Sequence, residues 1–365
     1  MTPVGRPLHA RIDLAAFQHN IQVSCKLAPG SQVLVIVKAN AYGHGLIEMA
    51  QAAGVHDLGV AIPEELHRLI DAGLKNKVWV LEGPFSQQCI EAAKNHAVVW
   101  VIHSLWQLNL FEGLRPGKRH QICLKVDTGM NRLGFSNELF TVALKRAREI
   151  PCLELAACMT HFSSSDLNGG RSVEKQVRQF DQIVGSLQVN CSLANSGGVL
   201  LYPGTHRDMV RPGIMLYGGM PDFQLNAIDY DLKPVMSFRS AIIALKKVPV
   251  GQSVGYGSNW TAEVDSVVAT VAGGYGDGYP RHAVNGTPVG VFKLGDSEPT
   301  IVPLVGTVSM DMLSVDVTEL PGVQVGDAVE LWGNSVSVDL LASKSGTIGY
   351  DLLCAVTTRV PRYYL

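Results

Sequence analysis

The sequence predicts an α/β protein, a (β/α)8 TIM-type barrel over residues 1–235 followed by a C-terminal, mostly β domain over residues 236–365. Three observations predict it. From about residue 10 to 235, short β-branched runs alternate with longer amphipathic stretches. Eight such runs occur, and eight is the count that closes a parallel barrel. After about residue 236 the texture changes to strand-like runs separated by Gly, Pro, Asp and Asn turns, the spacing of an all-β unit. A chain of 365 residues has room for two domains of ordinary size.

The apolar runs are VLVIV (33–37), LGVAI (58–62), VWVL (78–81), VVWVI (98–102), ICLKV (122–126), LAACM (155–159), a weaker CSLAN (191–195) and MVRPGIMLY (209–217). Between them lie helical patterns such as PEELHRLIDAG, SQQCIEAAKNH and SVEKQVRQFDQIVGSL. Two of the runs are weak, so the pattern by itself also admits an open doubly wound sheet. In the second unit, SFRSAIIALKKV, SVVATVAGG, TIVPLVG, LSVDVT and DAVELWG read as strands. One helical insertion, VSVDLLASKSG, ends on Gly346, where a C-terminal cap glycine would sit.

Thirty Lys and Arg against 32 Asp and Glu give a formal net charge of −2. That balance offers no basic stripe for the electrostatic term that dominates nucleic-acid binding. No apolar stretch reaches the roughly 18 residues of a transmembrane helix, and the N-terminal segment lacks the apolar core of a secretion signal. Seven cysteines form no CxxC pair. Six sit in apolar or strand-like surroundings and read as buried hydrophobes in a reducing, cytoplasmic compartment. Neither a membrane nor a nucleic acid is an expected partner, and no metal site is expected.

In a parallel barrel, chemistry gathers at the C-terminal strand ends. VLVIVKANAYGHG runs five apolar residues into Lys38. If buried there, its ammonium is disfavoured by desolvation, and a neutral amine can form a Schiff base with a carbonyl; otherwise it snorkels to solvent. Lys125 and Arg132 lie in and beyond LKVDTGMNRLGF, His161 follows the sixth strand, and Arg211 stands in the eighth. Asn195, Ser196, Gly197 and Gly198 follow the seventh. Small-residue turns at the last two strands are a recurring phosphate site. Together the lysine, phosphate cradle and arginines describe a pyridoxal 5′-phosphate site.

The motif VKANAYGHG resembles the cofactor-lysine signature of bacterial alanine racemases. The resemblance continues in order through KVDTGMNRLGF, MTHF, ANSGG, VRPGIMLYG, GYGDGYPR, GTVSMDM and CAVTTRVPR, nearly the whole chain. It implies a pyridoxal-phosphate barrel plus β domain, and a homodimer whose two active sites each take residues from both subunits. It also implies interconversion of L-alanine and D-alanine, for peptidoglycan synthesis or alanine catabolism. By this resemblance Lys38 holds the cofactor and is the base facing the D-alanine Cα–H. Tyr275, from the partner, is the opposing base for L-alanine. Two bases are needed because the proton leaves one face of Cα and returns to the other. His161 links the tyrosine to Arg211, which stands at the pyridine nitrogen. Arg132 meets the substrate carboxylate, and Lys125 matches a lysine that is carbamylated. Tyr42, Asn195, Ser196, Gly213 and Ile214 match cofactor contacts, while Met310 and Asp311 match substrate-side positions from the partner.

The chain departs from the family pattern in SSSD after MTHF, in ANSGG for a commoner ANSAA, at Leu193 and at Thr358. These positions bear on the pocket entrance and on substrate stringency. The competing enzymes are a broad-specificity amino-acid racemase and an amino-acid decarboxylase of the same barrel class. A decarboxylase would want a carboxylate where Arg211 stands. A lone-barrel pyridoxal-phosphate-binding protein would lack the second domain that carries Tyr275 and Met310.

Overall fold

A computed structural model of the chain describes residues 5–114, 119–166, 171–185, 187–222 and 224–365. Residues 1–4, part of the segment read for a secretion signal, lie outside the described residues. The first strand, β1 (His9–Ile12), precedes a helix over Leu14–Leu27 that starts where Asp13 accepts the Ala16 N–H at 2.8 Å. The barrel strands are β2 (Gln32–Val33), β3 (Val35–Ile36), β4 (Leu58–Val60), β5 (Val78–Val80) and β6 (Val98–Ile102). They continue with β7 (His120–Lys125), β8 (Leu153–Met159), β9 (Asn190–Ser192) and β10 (Met209–Val210).

These nine segments make eight staves. The run VLVIV is one stave that changes partner at Leu34: β2 pairs β10 on one side and β3 pairs β4 on the other, all parallel. The partner change closes the ring, which settles the choice between barrel and open sheet. Val35, Val60, Val80, Val101 and Leu124 are fully buried, as expected of a parallel sheet covered on both faces. The eighth stave is shorter than its sequence run. It stops at Val210, and Pro212, with no N–H to give a ladder, precedes a 3₁₀ turn over Ile214–Tyr217.

The second unit contains β11 (Met236–Val248), β12 (Ser266–Ala272), β13 (Pro288–Phe292), β14 (Thr300–Pro303), β15 (Met312–Asp316), β16 (Ala328–Trp332) and β17 (Arg362–Tyr364). Their order is β14-β13-β16-β11-β1-β17, with β12 bridging β11 and β15. The N-terminal strand thus pairs inside the second sheet, antiparallel to β11 and parallel to β17, although it precedes the barrel in sequence. The helical insertion is a helix over Val338–Lys344, and Gly346 beyond it has φ +67°, as a cap glycine requires. No helix among the described residues is long and apolar enough to cross a membrane.

Of the cysteines, only Cys123 and Cys158 are buried, and all seven are free thiols. The sequence reading of six buried cysteines is therefore too generous. Cys25 is exposed on the first helix, and Cys354 is exposed on the helix Gly349–Ala355, where it reaches a cavity rim.

Asp339 ties the second unit to the barrel by accepting the Met220 N–H at 3.0 Å, while its other oxygen is buried without a partner. Burial pushes its carboxyl from 3.8 up to about 6. A raised folded-state pKa costs stability once the group ionises. The penalty is absent where Asp339 is protonated in both states, grows as pH rises from about 4 to about 6, and is complete above that. At about 1.4 kcal/mol per pH unit it reaches on the order of 3 kcal/mol. Asp339→Asn, which keeps an acceptor for Met220, should therefore raise the Tm by a few degrees near pH 8 and by almost nothing near pH 3. A gain of equal size at both pH values in thermal melts would contradict the charge argument.

Candidate active site

Lys38 follows the first stave directly, and what comes after it is unusual. Ala39, Asn40, Ala41 and Tyr42 all have φ between 51° and 54°, one turn of left-handed helix built without glycine. Each such residue costs about 1–2 kcal/mol, so the turn holds on the order of 4–8 kcal/mol of strain. Packing enforces it. Tyr42 stacks on Tyr217 at 4.7 Å between ring centroids, and the buried Tyr217 hydroxyl donates to Ile36 O at 2.8 Å. Asn40 accepts the Leu46 N–H at 3.1 Å, Arg362 donates to Gly43 O at 2.7 Å, and Tyr364 donates to His44 O at 3.0 Å. Gly43 ends the turn at φ +77°, and a side chain there would collide with the Leu353 carbonyl.

The turn opens into a cavity of about 410 Å³ at the C-terminal mouth of the barrel. It is lined by Lys38, Tyr42, Lys125, Arg132, His161, Asn195, Ser196, Arg211, Gly213 and Ile214. All ten candidates in the barrel thus meet in one place, because parallel strands deliver their C-terminal ends to one face. A larger groove, about 610 Å³, is bounded by the helices Leu105–Glu112 and Asn137–Glu149 on the barrel flank and holds none of them.

The cavity is strongly cationic. Arg211 is buried, donating to Ser192 Oγ and Thr160 O at 2.6 Å each; burial lowers it only to about 10, so it stays charged at neutral pH. Lys125 is buried too, and desolvation plus the cations Arg211, Arg132 and Lys38 push it down to about 8. Lys38 is lowered by desolvation and then by Arg132, against smaller opposing effects of Glu82 and Glu65. His161 is driven well below its ordinary value by burial and by Arg211, so it is neutral at neutral pH. Among the described residues, Glu82 is the one carboxylate lining the cavity.

The floor suits a phosphate. Ser196 Oγ accepts the Gly213 N–H at 2.8 Å, and a Cβ on Gly213 would collide with the Tyr42 hydroxyl. Hydroxyls and backbone amides therefore crowd one end, and the amine of Lys38 and the Arg211 guanidinium lie elsewhere on the wall. This donor set fits pyridoxal phosphate: an amine for the carbonyl, amides and hydroxyls for the phosphate, and a cation for the ring nitrogen.

Two of the departures from the family pattern touch each other. Ser165 of SSSD donates to Asn195 Oδ1 at 2.7 Å, and a side chain at Gly197 of ANSGG would collide with the Ser165 carbonyl. Leu193 is buried, with its carbonyl accepting from Arg211 at 3.3 Å, whereas Thr358 is exposed. Sequence reasoning missed Tyr350 and Cys354, which the helix Gly349–Ala355 brings to the wall of its own chain's cavity. Tyr350 lies 5.9 Å from the Tyr42 ring. The motif CAVTTRVPR begins at that cysteine, and it was the available signal.

Tyr275, Met310 and Asp311 are not in this cavity. They form a second group on the β unit. Tyr275 N–H donates to Ser309 O at 3.1 Å and Gly276 N–H to Met310 O at 2.9 Å. The fully buried carboxylate of Asp277 anchors the turn, taking Arg6 and Arg359 at 2.8 Å each and the Gly274 N–H at 2.9 Å. Arg359 also binds Asp311. The Arg281 guanidinium lies 5.3 Å from the Tyr275 ring centroid. Tyr275 is 38% and Met310 53% exposed, so this group presents itself outward.

Comparison with known proteins follows the same two-part division. Residues 12–221 match the family model for alanine racemase, N-terminal domain, and residues 235–364 that for alanine racemase, C-terminal domain. An alanine racemase of Hahella chejuensis is 39% identical over 374 aligned positions, 99% of this chain and 98% of the relative. A catabolic alanine racemase of Salmonella typhimurium is 41% identical, covering 98% of each. Among solved structures, the biosynthetic alanine racemase of Pseudomonas aeruginosa has a TM-score of 0.93 at 40% identity, covering 99% of this chain and 100% of that one. The Bartonella henselae alanine racemase, described with covalently bound pyridoxal phosphate, has a TM-score of 0.86 at 28% identity, covering 98% and 99%.

Proposed function

The chain belongs to the alanine racemase family of isomerases, and from that premise we propose that its barrel cavity, completed by a partner subunit, interconverts L-alanine and D-alanine on pyridoxal phosphate. The observation that carries the reading is the meeting of Lys38 with the Tyr42–Ser196–Gly213 cradle and Arg211 in one cationic cavity. When bound, pyridoxal phosphate supplies an electron sink for negative charge developing at the substrate Cα.

Lys38 holds the cofactor and stands as base toward the D-alanine proton. Burial and Arg132 lower its proton affinity, which raises the share of neutral amine able to accept that proton. Tyr42, Asn195, Ser196, Gly213 and Ile214 hold the phosphate end. Arg211 would stand toward the ring nitrogen of the bound cofactor, where a cation that keeps its charge would oppose protonation. That limits delocalisation of charge away from Cα and favours return of the proton to Cα. The same cation separates this site from a decarboxylase. Arg132 binds the substrate carboxylate through its guanidinium fork. Burial and the cations Arg211, Arg132 and Lys38 lower the proton affinity of Lys125, which favours reaction of the free amine with carbon dioxide. The resulting carbamate would give Arg132 an anionic neighbour.

Because Tyr275, Met310 and Asp311 face outward from their own chain, they serve the partner's cavity in a homodimer. The second unit, taken as 236–365, supplies them. Tyr275 is the base toward L-alanine. The free thiols support a reducing, cytoplasmic setting.

Borohydride reduction of the holoenzyme followed by peptide mapping should place the pyridoxyl group on Lys38. A label on Lys125 or any other lysine would overturn the assignment. Labelled bicarbonate should give a carbamate carbon resonance that Lys125→Arg removes; its persistence in the variant would move the carbamate elsewhere.

A further inference from the structure

We propose that Glu65 is a positioning residue whose carboxylate clamps the left-handed turn after Lys38 and so aims the lysine amine. The proposal rests on the reading of Lys38 as cofactor lysine and D-side base. Glu65 lies in the first turn of the helix Pro63–Asp71, whose N-terminal residue is a proline and whose preceding residue, Ile62, offers no side-chain cap. A glutamate at that place ordinarily folds back on the residues just before its own helix. Glu65 does so with one oxygen, accepting the Ala61 N–H at 2.8 Å. Its other oxygen leaves the helix altogether and accepts the Ala39 N–H at 2.6 Å.

Ala39 is the residue after Lys38 and the first of the four left-handed residues. Within the turn, Ala41 N–H donates to Val37 O and Gly43 N–H to Ala39 O, so those amides are satisfied locally. The Ala39 amide is instead handed to a neighbouring element. Glu65 is only 8% exposed, and a buried carboxylate with two short N–H donors is a rigid, charge-assisted tie. It joins the loop after β4 to the peptide bond that sets the direction of the Lys38 side chain. The remaining ties, from Arg362, Tyr364 and Asn40, act on Gly43, His44 and Leu46, farther along the chain. Glu65 is therefore the clamp nearest the lysine. Its charge also acts in the same direction as Glu82, opposing the loss of proton affinity that burial imposes on Lys38.

Glu65→Gln tests this, because a glutamine of the same shape accepts one N–H but turns an NH₂ group toward the other. In the holoenzyme, amide hydrogen exchange at Ala39 should speed up by about tenfold or more. Deuterium exchange at Cα should fall by about tenfold or more from D-alanine and by much less from L-alanine, since only the D side depends on the aim of Lys38. Glu65→Asp keeps the charge, reaches one amide, and should recover part of the D-side loss; it carries the test if the glutamine variant does not fold. Equal loss from both enantiomers, or no loss, overturns the proposal whatever happens at Ala39. Should Tyr275→Phe show no bias between enantiomers, the two-base reading falls separately. The positioning role is then decided by cofactor retained on Lys38 during dialysis: equal retention in Glu65→Gln and wild type overturns it.

Discussion

Solvent-deuterium exchange at Cα of L-alanine should fall by about 10²–10⁴-fold in Tyr275→Phe, the usual loss for a positioned general base, while exchange from D-alanine persists. Phenylalanine keeps the ring that Arg281 faces at 5.3 Å and leaves the Tyr275 backbone tie to Ser309 intact. The substitution thus removes the hydroxyl and little else. Lys38 still stands on the D side and can wash deuterium into D-alanine, but inversion stops because no acid remains on the far face. Following each pure enantiomer separately by NMR measures the asymmetry. Equal residual exchange from both would mean that one base, or a mobile water, reaches both faces.

The second large effect is a recovery. Lys38→Ala and Tyr275→Phe chains, each inactive as a homodimer, should regain activity when subunits are exchanged. If each site takes its lysine from one chain and its tyrosine from the other, as proposed, a mixed dimer holds one intact site and one doubly damaged site. Random mixing makes about one site in four intact, given two-fold closed assembly. A site built within a single chain gives no recovery. The test bears on the outward-facing cluster of Tyr275, Met310 and Asp311, which shares no cavity with Lys38 in its own chain. Subunit exchange demonstrated by a mass tag, with activity still absent, would remove the composite site from consideration.

The barrel and seven of the ten cavity residues were legible because a parallel strand advertises itself, whereas Tyr42, Gly213 and Ile214 were named only through the family resemblance. An apolar run ends abruptly in a polar residue, and in a barrel those ends converge. Lys38 after VLVIV, Lys125 closing β7 and Arg211 after Val210 follow that rule. What was illegible depends on partners distant in sequence. The strand His9–Ile12 is four residues long, and only its pairing with β11 and β17 makes it a strand. The left-handed turn is built from Ala, Asn, Ala and Tyr, of which only the asparagine favours positive φ, and then as a single residue rather than in a run of four. Its cause lies in Tyr217, Arg362 and Tyr364, between 175 and 325 positions away by their numbers. Glu65 reads as an ordinary first-turn acid until its second oxygen is seen on Ala39. Tyr350 and Cys354 reach the cavity only because the β unit folds back over the barrel mouth.

The placement of β1 sets an order of events during synthesis. His9 pairs with Arg239 and Ala10 with Arg362, so the strand is made 230 positions ahead of its first partner and 352 ahead of its second. At about 5–20 residues per second, the ribosome takes on the order of tens of seconds to deliver β11. All of the barrel staves emerge in that interval. The nascent chain therefore carries an unsatisfied β-edge beside a barrel able to close; one side can pair as soon as β11 is made, and the other waits until every other strand has been made. Arrival of Arg362–Tyr364 seals that edge and, through Arg362 on Gly43 and Tyr364 on His44, locks the turn beside Lys38. The turn beside Lys38 therefore gains two of its ties only after the last barrel stave has been made, so closing the barrel and fixing that turn are separate events.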